Sequence, residues 1–194
     1  MTQQHTFQSL TAMKGDDLAK VLAQGTAPAF SSIAGSEFRG WNVFGDIGAK
    51  AVGTVMGIQR FAKGFFVRDG AADVDGLDSI EGYNVKIQRG TQAEPWTAIP
   101  DDAHPTRFGF YKVWKAGLGE ARAGRHEHAL LLDYSQGNPK PGLFEGSGLK
   151  DFVVQVDADN PDLLLGTAYM TLGPITMPPS FFVAERLRKV DFRP

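Results

Sequence analysis

The chain has no cysteine among its 194 residues, which removes disulfides, thiolate metal sites and a cysteine nucleophile from consideration. Exported barrels often carry disulfides, so this lack points to a reducing, cytoplasmic setting. Long apolar runs are missing too. Ala129–Leu132 and Asp162–Leu165 are far too short to span a bilayer as a helix, and the N-terminal region has no basic stretch followed by an apolar one. Neither membrane insertion nor a secretory signal is therefore expected. The formal net charge is only −2, and no basic stripe is interleaved with aromatics. Nucleic acid and anionic membranes are not expected partners. Also absent are a serine nucleophile elbow, a phosphate-binding glycine loop and a zinc-protease helix.

What the chain does contain is a succession of short aromatic and β-branched segments, punctuated by Gly, Pro, Asn and Asp. They are Glu37–Val43, Gln59–Val67, Tyr83–Gln88, Arg107–Lys115, His128–Tyr134, Asp151–Val156, Leu163–Met170 and Ser180–Leu187. Evenly spaced strands without long helices between them predict a mainly β fold, an antiparallel up-and-down β-barrel. The length suits one domain: residues 1–34 read as a helical segment and connector, and 35–194 as the barrel. A barrel of about eight strands encloses a space that side chains fill or that holds one small ligand.

The opening reads differently. Asp16 and Asp17 after Gly15, with Leu18, Val21 and Leu22 at helical spacing and Gly25 as a stop, predict a helix. A shorter helical turn over Phe7–Met13 precedes it, and Thr26–Ile33 reads as a connector. An amphipathic helix must bury its apolar side, and the expected place is across an end of the barrel. Asp46–Met56, rich in Gly and Ala, reads as a short helix or as a flap over a barrel mouth. Asp69–Gly82 and Gln136–Gly148 read as loops.

Glu37, Arg39 and Trp41 share one strand face by period-two alternation. A guanidinium beside an indole stacks on it and pairs with a carboxylate. The group is therefore either a structural plug or a ligand site in which Arg39 anchors a carboxylate. The segment Gly35-Ser36-Glu37-Phe38-Arg39-Gly40-Trp41, following an N-terminal helix, resembles the opening strand of lipocalin-type, or calycin-type, barrels. It is also similar to bacterial lipocalin-like domains and, more distantly, to nitrobindin-like proteins. The resemblance implies a barrel that binds an apolar or amphipathic small molecule. Through the nitrobindin-like proteins it implies haem as an alternative; no other cofactor is indicated.

His126 and His128, two apart on an expected strand, form a weak metal-ligand pair that lacks an evident third ligand. His128 shares the face of Leu130 and Leu132 and is the best-placed haem ligand. Asp133 lies on the opposite face. It enters the lumen if those leucines face outward, where its pKa would rise and it would serve as a general acid or base. The alternative is that it accepts hydrogen bonds from the following turn.

In Arg107–Trp114, alternation puts Phe108, Phe110, Lys112 and Trp114 in one row and Arg107, Gly109, Tyr111 and Val113 in the other. If the second row lines a cavity, Arg107 and Tyr111 are polar anchors and Gly109 leaves space for a ligand. Tyr83, Asn84 and Tyr169 are similar candidates, with ordinary strand packing as their alternative use. Phe152, Val154 and Val156 alternate with Asp151, Val153 and Gln155, and parity does not say which side is inside.

Three readings follow. The leading one is a barrel that binds a hydrophobic or amphipathic small molecule, with Arg39, Trp41, Tyr83, Asn84, Arg107 and Tyr111 at the site. The second is a cofactor-independent isomerase, cyclase or hydratase, in which Asp133 works with Tyr111 or Tyr169 as acid–base partners. The third is a protein-interaction module with a packed interior.

Overall fold

The computed structural model describes residues 4–44, 59–68, 71–116, 126–139, 148–172, 175–176 and 179–194. The expected flap at Asp46–Met56 lies outside the described residues. Three short helices, α1 (Phe7–Thr11), α2 (Gly15–Gln24) and α3 (Phe30–Ile33), precede the strands. These are β1 (Ser36–Val43), β2 (Arg60–Phe66), β3 (Ser79–Lys86), β4 (Arg107–Lys115), β5 (Leu130–Asp133), β6 (Leu149–Gln155), β7 (Leu163–Leu172), β8 (Ile175–Thr176) and β9 (Ser180–Lys189).

Eight strands close into an antiparallel barrel. Each of β1 to β7 pairs with the next, β7 then pairs with β9, and β9 returns to β1. The two-residue β8 pairs only with the end of β7. Closure leaves the eight barrel strands without a free edge, which a twisted open sheet of this size would have to protect.

Inside and outside follow from contacts between strands that are not neighbours. Lys63 on β2 reaches Asp151 on β6, which is only possible through the barrel centre. Its face-sharing neighbours therefore point inward. They form one apolar cluster that includes Phe38, Phe65, Ile80, Tyr111, Val113, Leu130, Leu132, Val153, Leu164 and Phe182. The rings of Phe61, Tyr111 and Phe182 lie against Gly40, Gly82 and Gly166, where a Cβ would overlap them. Among the described residues these side chains fill the barrel interior from α3 to the level of Lys63.

A second apolar cluster covers the outer wall and takes in Phe7, Leu10, Leu18, Leu22, Trp96, Phe152, Val154 and Val183. The predicted helices thus exist, but α1 and α2 lie on the outside of the wall rather than across an end. Their buried sides, Phe7 and Leu10 in α1 and Leu18 and Leu22 in α2, meet the outward-facing alternate residues of strands that are apolar on both faces. The end is closed instead by α3, in the segment that reads as a connector. Its Phe30 and Ile33 join the interior cluster. This is the end where β1 and β3 begin and β2 and β4 finish.

Two further differences concern strand bounds. β3 starts at Ser79, inside the expected loop Asp69–Gly82, and its Ile80 is buried in the interior. His126–His128 form a turn, and β5 begins only at Leu130.

Candidate functional site

Among the described residues, a polar group of four lies inside the apolar barrel. Phe61, Lys63 and Phe65 alternate on the inner face of β2, so the register of an apolar strand carries a lysine into the core. Lys63 pairs with Asn84 of β3. Asp151 on β6 follows the same parity as Val153, and Tyr134 sits in the 3-10 turn directly after β5. The Lys63 ammonium donates to Asp151 Oδ2 at 2.8 Å, to the Tyr134 hydroxyl oxygen at 2.6 Å and to Asn84 Oδ1 at 3.1 Å. Tyr134 donates to Asp151 Oδ2 at 3.1 Å. Asn84 Nδ2 donates to the Gly109 carbonyl and to the Tyr134 oxygen, each at 3.2 Å.

Four rings surround the amine: Phe61, Tyr111, Tyr134 and Phe182 have centroids 5.1–5.4 Å from Lys63 Nζ. The Lys63 and Asp151 side chains are only 5% and 3% exposed. Burial pushes the Lys63 ammonium below its ordinary value, and Asp151 pulls it part of the way back. Burial likewise raises the hydroxyls of Tyr111 and Tyr134 well above the usual tyrosine range, with the Asp151 charge adding to it. Asp151 Oδ1 is buried and has no hydrogen-bond partner among the described residues. The quartet lies away from α3, with its strand residues two or three positions in from the barrel end where β1 and β3 finish and β2, β4 and β6 begin.

Of the sequence-predicted residues, Asn84 belongs to this quartet and Tyr111 lines it. The Tyr111 hydroxyl donates to the Gly64 carbonyl at 3.1 Å. The others lie on the outer wall. Arg39 pairs with Glu185 and lies over the rings of Phe7 and Trp96, and Trp41 joins the same outer layer. Tyr83 donates to Glu37 Oε1 at 3.0 Å, and Arg188 donates to Glu37 Oε2 at 2.7 Å. Arg107 stacks on Tyr83 and Phe192 beside that fully buried carboxylate. Burial, then the Glu37 charge, raises the Tyr83 hydroxyl far above its ordinary value.

Arg107 and Tyr111 therefore do not share a row. A β-bulge intervenes: Gly82 pairs with Tyr111 but Asn84 with Phe108, so β4 holds one extra residue around Gly109, at φ +52°. The extra residue reverses the parity and sends Arg107 outward while Tyr111 stays inside. Gly109 does not leave an empty space either, because Asn84 and the Tyr134 ring occupy its side.

Leu130 and Leu132 face inward, so Asp133 faces outward. There its Oδ1 accepts from the Ser135 amide at 3.0 Å and the Ser135 hydroxyl at 2.6 Å, as a turn residue does. Tyr169 is also on the outer wall, 2.9 Å from His126 Nε2. His128 Nε2 lies 3.0 Å from the Leu22 carbonyl of α2. Both histidines thus meet the outer layer rather than the interior, and no group of three or more metal-ligating side chains occurs among the described residues.

Sequence reasoning did not single out Lys63, Tyr134 or Asp151 as site residues. One signal was available: Lys63 is the only charge in Phe61-Ala62-Lys63-Gly64-Phe65-Phe66, and it shares the face of two phenylalanines. On the outer wall, Phe66–Arg68 and Val190–Arg193 line a groove of about 330 Å³. No helix among the described residues is long and apolar enough to cross a membrane. No family model, curated protein or solved structure matches the chain.

Proposed function

We propose that this barrel binds a small, largely apolar molecule at the end opposite α3, with the Lys63–Asp151–Tyr134–Asn84 quartet as its polar floor. The observation that carries this reading is an ion pair set in an aromatic interior. A buried pair is weak evidence for stability, because well-packed apolar residues of similar volume do as well or better. Displaced ionisation in a protein interior is a mark of binding and catalytic sites. A pocket of mostly apolar walls with a few convergent polar groups is the usual form of a small-molecule site. The rings of Phe61 and Phe182, 5.7 Å apart and edge to face, flank the quartet and supply the apolar wall. A β-barrel of eight strands is compatible with this use.

The test is to purify the protein without added ligand, denature it, and analyse the released small molecules by mass spectrometry. The same is done with a K63M/D151L variant, whose floor is apolar. The reading expects a molecule released from the wild type in near-stoichiometric amount and missing from the folded variant. Equal release from both, or none from either, overturns it.

A further inference from the structure

The hydrogen-bond inventory of the quartet narrows the chemistry of what it receives. An ammonium has three donors, and those of Lys63 go to Asp151, Tyr134 and Asn84. The one tyrosine proton of Tyr134 goes to Asp151 Oδ2. The two Asn84 amide protons go to Gly109 and Tyr134. Every side-chain donor of the quartet is therefore engaged, within it or by the Gly109 carbonyl. The open valence is an acceptor, the buried Oδ1 of Asp151. A buried carboxylate oxygen without a partner is costly and is normally satisfied.

Charge narrows the choice further. One ammonium and one carboxylate leave the quartet neutral, so an ionised ligand group beside it would be a buried charge without a counterion. An ammonium would also face Lys63, and a carboxylate would face Asp151. We infer that the quartet recognises a neutral hydrogen-bond donor, a hydroxyl or an amide N–H, on an apolar body, with Asp151 Oδ1 as its acceptor. This rests on the binding reading above and replaces the carboxylate anchor expected at Arg39, whose guanidinium is engaged by Glu185 on the outer wall.

Four compounds with one apolar body test it: cyclohexylmethanol, cyclohexyl methyl ketone, cyclohexanecarboxylate and cyclohexylmethylammonium. Each is titrated into the full chain and followed by NMR at the Asn84 side-chain amide and the Tyr134 ring. The alcohol is expected to shift these signals and to bind roughly tenfold or more tightly than the other three, the scale of one hydrogen bond to a charged acceptor. In D151N that preference is expected to collapse, with the ketone gaining because an amide N–H now faces it. The wild-type ranking stands as a test by itself if D151N fails to fold. Equal or tighter binding of the ketone or of either ion overturns the donor inference and leaves the binding site in place. Failure of all four to shift the quartet's signals overturns the binding reading along with it.

Discussion

Lys63 and Arg39 are both cations paired with carboxylates, one through the barrel centre and one between neighbouring strands, and their surroundings set very different consequences. The Lys63–Asp151 pair is almost fully buried. Replacing Lys63 by Met leaves Asp151 charged and unpaired in an apolar interior, and K63M is expected to lose about 3–5 kcal/mol of unfolding free energy. K63M/D151L removes both charges and is expected to recover most of that loss, because the remaining cost is packing alone. Urea unfolding of the two variants checks both, and a double variant no more stable than the single one would contradict the electrostatic account. The Arg39–Glu185 side chains are instead 25% and 33% exposed. E185Q is expected to cost less than about 1 kcal/mol by the same measurement, since water screens such a pair. What Arg39 contributes comes largely from its packing over Phe7 and Trp96.

The bulge in β4 is the local device on which the quartet depends. Gly109 holds φ +52°, and a Cβ there would meet Asn84 Nδ2 at 2.9 Å. G109A is expected to be destabilised by about 1–2 kcal/mol from the left-handed conformation alone, and to shift the Asn84 amide resonances as that side chain is displaced. Unchanged Asn84 signals in a destabilised variant would show that the bulge and the quartet are not coupled. The same element explains what was legible in the sequence. Residue alternation located the eight barrel strands, with the bounds of β3 and β5 shifted, and placed Glu37, Arg39 and Trp41 on one face, because β1 itself carries no inserted residue. It misassigned Arg107 relative to Tyr111 because a single inserted residue inverts parity and leaves no mark in composition beyond one glycine among many. α3 was not legible at all: four residues are too few to show a helical period, and its role comes from Phe30 and Ile33 filling a barrel end that only tertiary closure creates. F30A, which empties that end, is expected to cost about 3–5 kcal/mol. Lys63 escaped notice because its meaning lies in Asp151, far away in the chain, and no local spacing relates the two.

The whole molecule concentrates its tyrosines in buried places. Three of the four in the chain, Tyr83, Tyr111 and Tyr134, are at most 2% exposed, and burial raises each hydroxyl above its ordinary 10.0. Tyr83 belongs to the outer layer and the other two to the interior, so both layers respond to alkali. As pH rises past 10, tyrosines in the unfolded chain lose protons that the folded protein keeps. The folded state then binds more protons, and stability falls with pH. Each tyrosine contributes up to about 1.4 kcal/mol per pH unit in that window. Lys63 acts in the opposite sense: its folded-state value lies below 10.5, so the unfolded chain binds its proton more tightly and stability rises with pH up to that point, where the effect is spent. Above about pH 10.5 the tyrosines act without that opposition. The urea midpoint is therefore expected to fall steeply between pH 10.5 and 11.5, and Y134F is expected to reduce the slope by about one proton. Y134F also removes a bond to Asp151, so its midpoint at pH 8 is expected to be lower than that of the wild type while its alkaline slope is shallower. A variant displaced at every pH with an unchanged slope would mean that Tyr134 ionises as readily in the barrel as in the unfolded chain, which an aromatic interior and an adjacent carboxylate forbid.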